Sequence, residues 1–155
     1  MLLCSMNNDI TVPVKNEVND VARQRLGQLR EALLNLHKTL IESERMGYEK
    51  TFGKIGTSYQ LLHLLTVDPW FTWLRPVSQL VTAMDEALDS REPLTLAGVE
   101  ALAARCKALL SPTTGGEGFA AHYDEAVQRD PDVLFAHVVA TRLLSPPSAP
   151  SKPVA

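Results

Sequence analysis

Ala22-Arg-Gln-Arg-Leu26-Gly-Gln-Leu29-Arg-Glu-Ala-Leu33-Leu-Asn-Leu36-His-Lys-Thr-Leu40 is the stretch that decides the fold. Its apolar residues Ala22, Leu26, Leu29, Leu33, Leu36 and Leu40 alternate steps of four and three, which places them on one face of an α-helix. The periodicity predicts a long helix from Asn16 to Gly53, where Gly53 and Gly56 punctuate the chain. Leu34, Ile41 and Tyr48 widen the stripe beyond what a two-stranded coiled coil needs, so the helix is expected to pack on several neighbours of a bundle.

Downstream, Ile55 to Met84 contains only two formally charged side chains, Asp68 and Arg75, and most of it is expected to be covered. Ser58 is expected to cap a short helix through Leu65. Asp68-Pro69 is a restart signal, with Asp as N-cap and Pro at the first helical position, where its missing N–H costs nothing. The helix that follows keeps Trp70, Trp73, Val77, Leu80, Met84 and Leu88 on one face, and Pro76 should kink it between Thr72 and Pro76. Thr95 caps a further helix with an inner face of Leu96, Val99, Leu102, Cys106 and Leu109. After a loop at 113–118, Phe119, Tyr123 and Val127 recur every four residues, and Asp130-Pro131 repeats the restart signal. The last helix, Val133 to Leu144, is apolar nearly all round and is expected to lie between other elements. No convincing strand is legible, although Ile10 to Val14 could be extended. The expected architecture is all-α, a single-domain bundle of four or five helices over 16–144. It is preceded by a flexible segment 1–15 and followed by a disordered tail 145–155 with four prolines and one charge.

Composition narrows the function classes. The 155 residues are 45% hydrophobic and 21% charged, enough for one domain with its own core. A formal charge of −3 without a basic block gives no footprint for nucleic acid. The longest uncharged run, Ile55 to Val67, is 13 residues, well short of the roughly 20 that span a bilayer. Cys4 and Cys106 form no disulfide framework, and a reducing cytoplasm is the simplest expectation. The opening Met-Leu-Leu-Cys-Ser lacks the basic and apolar regions of a signal peptide, and Met6 offers an alternative start.

The segment Asp68 to Pro76 is the most distinctive place to look for a site. It concentrates both tryptophans, Trp70 and Trp73, beside Arg75, and Trp and Arg dominate interface hot spots. Arg75 could also clamp an anionic group. The plainer alternative is core packing of the tryptophans with Arg75 paired to an acid. Together with Leu36-His37-Lys38, Glu44-Arg45 and Tyr48-Glu49, this segment resembles a pattern found in a family of short all-helical bacterial proteins, over about residues 26–135. That resemblance implies a bacterial, all-helical domain and carries over no catalytic residue.

His37, His63, His122 and His137 fall on different expected helices, and their spacings do not match the Glu-x-x-His pairs of di-iron bundles. His63, within Leu-Leu-His-Leu-Leu, is expected to be a hydrogen-bonded packing residue rather than a haem ligand, and His37 a boundary residue. Gly47 to Lys54 departs from the phosphate-binding loop in its spacing, and Ile55 stands where a Ser or Thr would hold a metal. Cys106, facing inward, is expected to be an inert thiol, and Glu31, Glu42, Glu44 and Glu49 should lie on the wet face. No cofactor or metal is assigned. These features point to a non-enzymatic module that binds another protein or itself, as a homodimer. The alternative is a bundle holding a small anionic ligand near Trp70, Trp73, Arg75 and His63.

Overall fold

The computed structural model describes residues 11–111 and 117–145, with side chains from Glu17 onward. Among them are seven α-helices and no strand: α1 (Thr11–Phe52), α2 (Ser58–Val67), α3 (Pro69–Thr72), α4 (Arg75–Asp89), α5 (Leu96–Leu110), α6 (Phe119–Arg129) and α7 (Pro131–Leu144). Helix α1 is the spine, and its seam residues Ala22, Leu26, Leu29, Leu33, Leu36 and Leu40 are all buried. It begins five residues before Asn16, so Thr11 to Val14 is helical and not extended. Pro13 is tolerated there because N–H groups of a first turn have no intrahelical partner. The other expectations for 1–10, for the loop at 112–116 and for the tail 146–155 lie outside the described residues.

Three helices pack along the spine: α4, α5 and α7. Helix α4 runs antiparallel to α1, since Arg23 donates to the Leu88 and Ser90 carbonyls at one end and the Tyr48 ring meets Phe71 at the other. Helix α7 is antiparallel too. Arg25 donates to the Leu143 carbonyl, while Arg129, just before α7, reaches Ser43 and Glu44. Helix α6 packs on α5 and α7. The inner faces follow helical spacing: Val77, Leu80, Val81 and Met84 on α4, and Val133, Ala136, Ala140 and Leu144 on α7. On α5 the buried set is Val99, Ala103, Cys106 and Leu110, a face rotated from the expected one, so that Leu96 is exposed.

The restart signals work as cap chemistry dictates. Asp68 accepts from the Trp70 amide at 2.8 Å, and Asp130 accepts from the Asp132 amide at 2.9 Å. Thr95 accepts from the Gly98 amide. Pro76 does more than kink a helix. It sits in the first turn of α4, and Trp73-Leu74 breaks the chain into α3 and α4, because a proline ring cannot follow a continuous helical turn without clashing with the carbonyl four residues back. That break, with the separate α2, raises the helix count above four or five.

Candidate functional site

The charge-poor stretch is where packing departs most from composition. Thr57, rather than Ser58, caps α2: its hydroxyl accepts from the Gln60 amide at 3.1 Å, and the Gln60 side chain returns to accept from the Gly56 amide at 2.9 Å. At the other end Asp68 donates its amide to Leu64 and starts α3. The helix is thus well bounded, yet none of its ten residues is buried. Tyr59 is 81% exposed and Leu62 62%, while Leu61, Leu64 and Leu65 on the inner side are only half covered. The expectation that this stretch is mostly covered therefore fails for α2. A cleft of about 310 Å³ separates it from the body, lined by His37, Leu62, Leu65, Phe71, Leu74 and Ser78. Burial lowers the pKa of His37, half covered at this boundary as expected, and favours its neutral form.

The two tryptophans face different neighbours. Trp70 turns to the C-terminal part of α1, where its indole N–H donates to the Glu44 carbonyl at 3.0 Å and its ring stands edge-on to Tyr48 and Phe52. Gly47 lies directly beneath it. A Cβ at that position would come within 3.3 Å of the indole. Trp73 turns to α6, stacking on His122 at 5.2 Å between centroids and touching Phe119. Arg75 is exposed and, among the described residues, donates to the Thr66 carbonyl at 3.2 Å instead of pairing with an acid. Trp73, Arg75, Gln79, Phe119 and His122 line a shallow groove of about 390 Å³. Trp70 and His63 do not reach it. His63 is exposed on α2 and makes no side-chain hydrogen bond among the described residues, so its expected packing role is corrected. His122 enters the site unforeseen, because the sequence gives no sign that α6 would stack on Trp73.

Two further clusters are structural. Glu44 is buried beside α6 and pairs with Arg129 at 3.0 Å, so it does not lie on the wet face. Glu42 and Arg45 approach to 3.7 Å at i,i+3, as expected. Between α5, α6 and α7, Cys106 lies close to buried Tyr123, whose hydroxyl shares a 2.6 Å hydrogen bond with His137 Nδ1. Desolvation pushes the Cys106 thiol up to about 12, raises the Tyr123 phenol and lowers His137, so all three are neutral near pH 7. An inert thiol is what the sequence leads one to expect. Among the described residues no group of three His, Cys, Asp or Glu side chains converges as a metal site, and no helix is long and apolar enough to cross a membrane.

Comparison with models of protein families, with curated proteins and with solved structures finds no match for this chain.

Proposed function

We propose that the chain is a protein-binding module without chemistry of its own, and that α2 is its docking element. One observation carries this reading: an apolar helix with no formal charge is held off the body with no residue buried. Large contiguous apolar surface left in water is costly, and on soluble proteins it marks sites of association. Tyr59, Leu62, His63 and Thr66 are all exposed and stand at i, i+3, i+4 and i+7, the spacing with which a helix enters a groove of a partner, and Leu62 and Thr66 also border the cleft towards the body. Helices that lie on membrane surfaces carry Lys and Arg on their polar face, and α2 has neither.

The test is site-specific photo-crosslinking in cells from position 62, with exposed Glu86 as the comparison site. A discrete protein adduct from position 62, lost when Tyr59 is replaced by Asp, is the expected result. Adducts no more frequent than those from position 86 would overturn the proposal.

A second reading is favoured by the groove that joins Arg75 to the stacked Trp73–His122 pair, whose chemistry suits a small anionic ligand. Native mass spectrometry of protein purified without added ligand, compared with its denatured mass, tests it. A retained mass that disappears in an Arg75→Ala variant supports this reading, and a bare subunit mass overturns it.

A further inference from the structure

The outer face of α7 carries a second, unrelated feature. Asp132, Phe135, Val139 and Arg142 follow one another at steps of three, four and three, the spacing of a coiled-coil seam, and all four are exposed. Phe135 is 70% exposed and Val139 37%, on the side of the helix away from the buried Val133, Ala136, Ala140 and Leu144. The seam is apolar in the middle, acidic at its start and basic at its end.

We propose that α7 pairs antiparallel with α7 of a second copy of this chain, about a two-fold axis passing beside residue 137. Positions equally far before and after 137 then face each other across the axis. Phe135 meets the partner's Val139, Asp132 meets the partner's Arg142, and the symmetry repeats both contacts. A parallel pairing would set Asp132 against the partner's Asp132 and Arg142 against the partner's Arg142, so charge selects the antiparallel arrangement. Within its own chain, among the described residues, neither side chain makes a salt bridge.

The surroundings leave room for the partner helix. Beside Val139 and Leu143 runs an open groove of about 1170 Å³, floored by α1 at Gly27, Arg30 and Glu31 and walled on the far side by Asp85 and Leu88 of α4. Space above Gly27 is empty, with no atom within 4 Å of a Cβ built there. An α-helix is about 10 Å across with its side chains, and the flank of a second α7 can settle into this trough while its seam meets the first. The contact is isologous and consumes both seams, so assembly closes at two subunits. The face is distinct from α2 and does not depend on the reading of α2 as a docking element.

Size-exclusion chromatography with light scattering, over a concentration series of the full chain, tests the pairing. The expected result is a dimer of the 17.0 kDa subunit. Phe135→Asp, at a position that is mostly exposed, should give a folded monomer with unchanged helical circular dichroism. Asp132→Arg alone should weaken dimerisation about tenfold or more, and Asp132→Arg combined with Arg142→Asp should restore it. The charge pair keeps the test decisive if Phe135→Asp fails to fold. A monomeric natural chain, a dimer indifferent to Phe135→Asp, a charge double variant no better than the single one, or a dimer lost through Leu62→Asp instead would each overturn the pairing. The Leu62→Asp arm separates this inference from the role of α2.

Discussion

Gly27 and Gly47 sit on the same helix and meet opposite surroundings. A Cβ at Gly27 points into empty space, whereas one at Gly47 meets Trp70 at 3.3 Å, and Trp70 is anchored by its bond to the Glu44 carbonyl. Glycine in a helix interior costs about 0.5–1 kcal/mol relative to alanine. Gly27→Ala should therefore raise stability by about that amount, and Gly47→Ala should raise it less or lower it. Urea unfolding of the two variants, followed by tryptophan fluorescence, reads both, and equal gains would show that Trp70 yields freely. Titration behaviour is set at this scale too. His137 and His37 both have pKa values lowered by burial, so the unfolded chain takes up protons that the folded chain resists. Their contribution to stability is complete above the unfolded value of about 6.5 and is lost as pH falls through that value towards the folded ones. The urea midpoint should fall between pH 7.5 and 5.5, and the slope should flatten in a His37→Gln, His137→Gln double variant. An unchanged slope would place the pH dependence on other groups.

At the scale of elements, α2 should behave as a separate unit. With no residue buried and contacts chiefly to α3, its amides should exchange with deuterium far sooner than those of α1 between Leu26 and Leu40. Equal protection in the two helices would mean that α2 is covered in solution. Helix α2 also marks the limit of what the sequence discloses. The Leu seam of α1 and the Asp-Pro restarts at Asp68 and Asp130 are legible because spacing and cap chemistry are local, and they appear in the fold as read. Whether an apolar helix is covered by its own chain is not local. Residues 58–67 and 131–144 are both mostly apolar and both look buried, yet α2 buries nothing and α7 buries one face while Leu134 and Phe135 stay exposed. The same holds for the site. Trp73 and Arg75 share a groove as their proximity in sequence allows, but Trp70 packs on the C-terminal part of α1 instead, and His122 arrives from an element 49 positions further on.

Across the whole molecule, apolar residues divide into those that hold the fold and those that the fold leaves in water, and the two sets should respond oppositely to substitution. Leu36 is fully buried in the cluster that joins α1 to α4, α5 and α7, so Leu36→Ala removes packed atoms and leaves a cavity, at a cost of about 2–5 kcal/mol. Leu62 is 62% exposed, and its loss removes little from this chain. Leu62→Ser should leave the urea midpoint within about 0.5 kcal/mol of the natural protein's value, or raise it slightly, while improving solubility. Leu36 and Leu62 are the same amino acid on two helices of one domain and differ in burial. If Leu62→Ser proved as costly as Leu36→Ala, α2 would be part of the core and the docking role would fall. If it is neutral, Leu62 contributes little to the fold, and the exposed face of α2 stays available for the docking role proposed for it.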